Sequence, residues 1–289
     1  MGMREDFAAF ILTHGRPDRV YTYDTIRKAG YTGRIYLVID NEDKQAEAYR
    51  QRFGDAVLMF DKAAVAQTFD EGDNFKDRRT IIYARNAVFE LARQQDVRYF
   101  IQLDDDYTGC EYRRNHKLQY ITKPILHSLD AVWSALVAFV EATPIHTLCM
   151  AQGGDFIGGK QNARFSKRMQ LYRKAMNTFI CDVNKPFQFI GRINEDVNTY
   201  TSLQRAGMFM ATTPQVNIVQ KTTQRNKGGM TDTYLASGTY VKSFYSVMYA
   251  PSCVRISMMG YNHRRVHHQV AWRYTAPLLV RESLQKATV

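Results

Sequence analysis

Three consecutive carboxylates, Asp104-Asp105-Asp106, close the apolar run "YFIQL". Desolvated and unpaired, such a triplet repels itself by several kcal/mol, so a compensating charge is required. If the run is a strand, alternation places Asp104 and Asp106 on one side and sends Asp105 away. Two converging carboxylates suit a hard divalent cation, Mg2+ or Mn2+, shared with substrate phosphates. A solvated acidic turn is the plainer alternative. A second acidic pair, Glu195-Asp196, stands in "GRINEDVNTY", in the first turn of a helix capped by Asn194. The positive helix end lowers both pKa values there, so one of the pair could serve as a general base only if bound substrate buried it; otherwise both merely cap the helix. His263, His267 and His268 lie in "GYNHRRVHHQVAW". Imidazole from the last two could complete a metal site or contact phosphate, and along a strand only one of them faces inward.

The elements that position these groups alternate over the first hundred residues. "FAAFIL", "RIYLVID", "AVLMF" and "VRYFIQL" read as strands. Between them, "RPDRVYTYDTIRKAG" reads as a helix from Pro17 to Gly30, followed by "EDKQAEAYRQRF" and "RRTIIYARNAVFELARQQ". Such alternation implies βαβ units and a mainly parallel sheet, whose ligands bind beyond the carboxyl ends of the strands. "THGRP", "DNED" and "DDD" fall at those ends. The second half is mixed: a helix in "LHSLDAVWSALVAFVEAT", a strand in "TLCMAQ", a glycine loop "GGDFIGG" and a strand in "MFMATTPQVNIVQKTT". "QRNKGGMTDTY" is polar and reads as a mobile loop. No linker, repeat or low-complexity tract appears, so a single domain over 1–289 is expected.

With 289 residues and 45% hydrophobic content, the chain has a sizeable core, and its net charge of +11 favours a polyanionic partner. From Thr201 to Val289 the basic residues face only Asp232 and Glu282. Cys110, Cys149, Cys181 and Cys253 form no CxxC pair, which argues for reduced thiols of an intracellular protein rather than zinc or redox chemistry. No apolar run approaches the roughly 18 residues of a membrane span. Gly154, Gly159 and Lys160 fit GxxxxGK, but Gln161 replaces the metal-binding Ser or Thr, which weakens a nucleotide kinase or ATPase reading. GxGxxG is absent, which disfavours a dinucleotide oxidoreductase.

Taken together, "FILTHGRP", "IYLVIDNED", "YARN", "IQLDDDY" as a DxD motif and "NEDVNTY" as an xED motif resemble a GT-A glycosyltransferase. "GGDFIGG", "KAMNTFICDVNKPFQFIGRINEDVNTY", "GGMTDTY" and "HHQVAW" narrow the resemblance to the glycosyltransferases associated with TET/JBP hydroxylases, many of them from phages. The resemblance implies an α/β, Rossmann-like sheet flanked by helices, with residues 1–110 binding a nucleotide sugar and 111–289 binding the acceptor. It implies transfer of a sugar, glucose from a UDP-linked donor, to the hydroxyl of a 5-hydroxymethylpyrimidine in DNA, with inversion. Thr13, His14 and Arg16 would border the diphosphate and Asp40 the donor base. Arg85, Asn86, Asp104, Asp105, Gly153 and Gly154 would line the donor. Asp104 and Asp106, with His268 or His267, would hold Mn2+ or Mg2+, and Asp196, or else Glu195, would be the base. Lys221, Arg225, Lys227, Arg264 and Arg265 would contact DNA phosphates. No membrane association is implied, and the compartment is the cytoplasm, that of the host if the chain is phage-encoded. The open alternatives are a non-DNA acceptor and a catalytically silent DNA-binding module.

Overall fold

A computed structural model of the chain describes residues 2–73, 77–121, 125–156, 159, 169–220, 230–260 and 264–276. Its strands are β1 (Phe7–Leu12), β2 (Arg34–Asp40), β3 (Val57–Phe60), β4 (Tyr99–Asp104), β5 (Tyr107–Tyr112), β6 (Thr147–Gln152), β7 (Thr178–Asp182), β8 (Met210–Gln220), β9 (Val254–Met259) and β10 (Arg265–Val270). The helices are α1 (Tyr21–Lys28), α2 (Ala46–Phe53), α3 (Lys62–Ala66), α4 (Ile82–Gln94), α5 (Leu129–Glu141), α6 (Glu195–Arg205) and α7 (Met230–Tyr249).

Eight strands form one sheet in the order β3-β2-β1-β4-β7-β6-β8-β5. The first four run parallel, as the alternating pattern predicts, and β7 then joins β4 antiparallel. β6 and β8 are parallel neighbours, and β5 closes the edge antiparallel to β8. β1 is buried along its whole length, which its uninterrupted apolar sequence requires of a strand covered on both faces. One apolar layer packs α1 and α5 against the sheet through Ile26, Trp133 and Val137, and the other packs α4 through Val88, Phe89 and Leu91. The ends of β1, β2 and β4 lie on a single edge, so "THGRP", "DNED" and "DDD" converge there.

Parts of the second half depart from expectation. The segment "QRNKGGMTDTY", expected to be a mobile loop, runs into helix from Met230, while its first part lies outside the described residues. α7 breaks at Gly238, whose φ of 68° favours glycine. It packs on the β9–β10 hairpin, where Ser243 donates to the Val266 carbonyl at 3.0 Å. All four cysteines are buried and free. Among the described residues, no helix is long and apolar enough to cross a membrane.

Candidate active site

The three carboxylates after β4 have three different environments. Asp104 accepts from Arg85 Nη2 at 2.9 Å. Asp105, 1% exposed, takes both ends of the Arg16 guanidinium at 2.7 Å and the Thr13 hydroxyl at 2.7 Å. Among the described residues, Asp106 accepts only from the Gln220 side-chain amide, at 3.1 Å. The triplet therefore has a guanidinium for each of its first two members and none for the third. Burial, reinforced by Asp104 and then Asp105, pushes the Asp106 carboxyl up to about 7. Asp105 thus braces the loop after β1 from below, and its alternation away from Asp104 and Asp106 has a structural use.

That loop is fixed from several directions. Tyr49 on α2 bonds the Thr13 hydroxyl at 2.7 Å and accepts from the Arg16 amide at 3.0 Å. Asp43 accepts from the Gly15 amide at 2.7 Å. Asp40 is held by His14 Nδ1 at 2.8 Å and Lys62 Nζ at 3.2 Å. The bond from Asp40 raises the His14 pKa, and although burial opposes it, the same pair of cations brings Asp40 below the usual range. Lys62, in the short α3, was not singled out in the sequence, because nothing in its spacing ties it to Asp40.

Arg85 sits in the first turn of α4, 2% exposed, and reaches both acidic clusters. Its Nη2 meets Asp104 and its Nε meets Glu195 at 3.1 Å. Its guanidinium carbon lies 4.9 Å from the Phe179 ring centroid and 5.7 Å from that of Phe189. Nη1 is buried and, among the described residues, has no hydrogen-bond acceptor. Asn86, by contrast, exchanges two hydrogen bonds with the Phe189 backbone, at 2.8 and 3.0 Å. Its amide secures the segment before α6.

Glu195 and Asp196 open α6, as expected, but their ionisation runs the other way. Both are buried, and burial raises both carboxyls, Glu195 to about 7 with Asp196 adding to the effect. Desolvation outweighs the helix dipole because α4 and α7 cover this helix end. Asn194 is not a side-chain cap: it adopts φ 55°, and its Nδ2 donates to the Lys242 carbonyl on α7 at 2.7 Å. Gly191 makes this turn possible, since at φ 78° a Cβ would stand 2.3 Å from Asn198 Nδ2. The two acids differ in their partners. Glu195 is ion-paired to Arg85, whereas the hydrogen bond of Asp196 comes from the Val197 amide at 2.8 Å. Lys242, its own pKa lowered by burial, and Lys174 both act on Asp196 through space. Neither lysine was identified as a site residue from sequence.

Lys174 also lies 3.5 Å from Asp155, beside Gly154. Among the described residues, a Cβ on Gly153 would meet nothing within 4 Å, so open space lies before this glycine. His267 and His268 stack edge to face, their centroids 4.3 Å apart, on β10. Both are partly buried, so the expected split of one inward and one outward ring does not hold. Burial, then His267 and Lys242, drives His268 down to about 4. Among the described residues, no three His, Cys, Asp or Glu side chains gather as a metal set. Arg264 and Arg265 are exposed at the start of β10, while Lys221, Arg225, Lys227 and His263 lie outside the described residues, as do Lys160 and Gln161 of the GxxxxGK match.

A mainly parallel sheet ending in a carboxylate turn that faces a buried acid pair is the architecture of a GT-A glycosyltransferase. A mannosyltransferase from Pyrobaculum calidifontis, solved with GDP-Man and Mn2+, shares it at a TM-score of 0.50 and 12% identity, over 77% of this chain. The chain spans 59% of that protein's length. More narrowly, the chain belongs to the TET-associated glycosyltransferase family, whose profile matches residues 7–229. Glucosyl-3-phosphoglycerate synthase from Mycobacterium tuberculosis, solved with Mn2+, UDP and phosphoglyceric acid, aligns at a TM-score of 0.44 and 9% identity, over 94% of this chain and 88% of its own. No curated protein is matched by the sequence.

Proposed function

We propose that the chain transfers a sugar, glucose from a UDP-linked donor, to the hydroxyl of a 5-hydroxymethylpyrimidine in DNA, with inversion at the sugar. The observation that carries this reading is the buried bridge Asp104–Arg85–Glu195, which ties the carboxylate turn to the acid pair across the sheet edge. Donor groups would be bound by residues 1–110 and the acceptor by 111–289. Asp196 takes the acceptor proton. It is the acid not ion-paired to Arg85, and burial has already raised its pKa toward the range a general base needs. Glu195 holds Arg85.

The donor set fits a divalent cation. Among the described residues, Asp106 is a half-buried carboxylate with an amide as its hydrogen-bond partner and no guanidinium, and Asp104 stands two residues away with one oxygen on Arg85. Asp104 and Asp106 would hold Mn2+ or Mg2+, which neutralises the departing diphosphate when bound. The mannosyltransferase with its GDP-Man and Mn2+ supports a nucleotide-sugar donor and a metal. Asp105 keeps Thr13 and Arg16 in place at the diphosphate side, and Asp40 does the same for His14 toward the donor base. Open space before Gly153 leaves room for the sugar, with Gly154 and Lys174 beside it.

DNA as acceptor is supported by the +11 net charge and by exposed Arg264 and Arg265 on the β10 side of Lys242. A hydroxymethyl group projects into the major groove, so duplex DNA presents it directly. The site of action would be the cytoplasm, that of the host for a phage enzyme. The deciding experiment supplies Mn2+, a panel of nucleotide sugars and duplex DNA carrying hydroxymethylcytosine or hydroxymethyluracil, then weighs the nucleosides. A hexose-sized gain that vanishes in Asp106→Asn supports the reading. Nucleotide release without DNA modification moves the acceptor elsewhere, and no product with any donor leaves a DNA-binding module.

A further inference from the structure

Arg85 is a single cation serving carboxylates that belong to opposite ends of the reaction. Its carbonyl is pinned by Gln102 Nε2 at 3.0 Å, and its guanidinium packs against the edge-to-face pair of Phe179 and Phe189. The side chain is therefore held in place, and what varies is how strongly each acid draws on it. In a low-dielectric pocket, charge removed from one partner is felt at the other. A guanidinium fixed in this way can carry influence between two sites without any backbone movement.

Resting on the glycosyltransferase reading above, we propose that Arg85 is a positioning residue that couples the two ends. It turns one Asp104 oxygen away from the donor and holds Glu195 back from the acceptor, so that the occupancy of either carboxylate changes the other. A cation at Asp104 competes with Arg85 for that carboxylate and leaves the guanidinium to Glu195. In the reverse direction, Glu195 draws positive field away from Asp104 and makes it more receptive to a cation. Linkage requires the two effects to be equal.

The two substitutions move cation affinity in opposite directions. Glu195→Gln keeps an oxygen acceptor for Arg85 Nε but removes the charge, so Arg85 weighs more heavily on Asp104. Mn2+ binding weakens by about fivefold or more. Arg85→Gln frees Asp104, so Mn2+ binds more tightly while turnover falls, because Glu195 is no longer held back from the acceptor side. A brace without coupling would lose stability and Mn2+ affinity together.

The test titrates wild type, Glu195→Gln and Arg85→Gln with Mn2+, reading the free ion by its electron paramagnetic resonance signal. A metal-free melt checks folding, and nucleotide release gives kcat and KM. Opposite shifts in Mn2+ affinity, with kcat reduced in Arg85→Gln, are expected. Wild-type turnover with Mn2+ affinity unchanged in both variants, or lowered in both, overturns the coupling and leaves the glycosyltransferase reading intact. Wild type that neither binds Mn2+ nor releases nucleotide overturns both. If Arg85→Gln does not fold, the near-isosteric Glu195→Gln decides alone, with unchanged affinity counting against the coupling.

Discussion

At the end of β4, Asp104 and Asp105 each meet a guanidinium and Asp106 meets an amide, whereas at the start of α6 Glu195 is paired to Arg85 and Asp196 feels Arg85, Lys242 and Lys174 only through space. The first cluster lacks a full positive charge at one identifiable oxygen pair. The second has one guanidinium near two acids; burial raises carboxyl pKa values in both clusters, at Asp105 and Asp106 as at Glu195 and Asp196. A localised deficit suits an ion, and a shared one suits a proton. On the proposed reading, the contrast separates a cation-binding end from a proton-accepting end within one edge of the sheet.

Asp106→Asn breaks the comparison most severely: sugar transfer is expected to fall by about 10^4-fold, with DNA affinity unchanged. Transfer by this variant within tenfold of wild type would remove the metal role. Asp196→Asn should lower kcat by about 10^3-fold, and Glu195→Gln by less. A larger loss in the glutamate variant reverses the assignment of the base. Asp105→Asn leaves Arg16 without its counter-charge and should cost about 3 kcal/mol of stability in urea unfolding. Wild-type stability would show that the loop after β1 does not depend on that pair. Arg265→Ala should weaken duplex binding by about 1 kcal/mol and reduce the salt slope by about one. An unchanged slope moves the DNA face off β10.

The pH dependence sharpens the second cluster. The folded Glu195 carboxyl is pushed up to about 7 from an ordinary value of 4.5. Between those values the folded state keeps a proton that the unfolded state has lost, so stability falls as pH rises through the window and the loss is complete above it. Glu195→Gln should flatten this decline in unfolding midpoints measured at pH 5, 6, 7 and 8. Parallel declines in the two proteins would refute it.

Much of the donor edge was legible in the sequence, because continuous apolar runs such as "FAAFIL" and "YFIQLD" can only be strands covered on both faces. The acids at their ends then had to converge. Which cation answers which acid was not legible: Arg16 to Asp105 and Lys62 to Asp40 are long-range pairings with no periodic signature. The α6 acids were placed correctly on a first turn, but their burial depends on α7. That helix was hidden because Gly228 and Gly229 stand just before Met230 in the sequence and Gly238 interrupts the helix itself. Asn194 has the residue type of a side-chain cap, yet its left-handed backbone directs the amide to Lys242.

The path of the chain across the carboxylate turn also sets an order of assembly. β4 and β5 are joined by two residues, yet they lie apart in the sheet because β5 pairs only with β8. The amide that holds Asp106 belongs to Gln220, 114 positions later. At ribosomal speed that interval is on the order of ten seconds. A nascent chain can therefore finish β1 to β4 with an acidic turn that is not yet a donor site. Fragments ending before β8 should be inert toward nucleotide sugars however well their parallel strands fold, so the cell's activated sugars meet a working centre only once the acceptor half has been made.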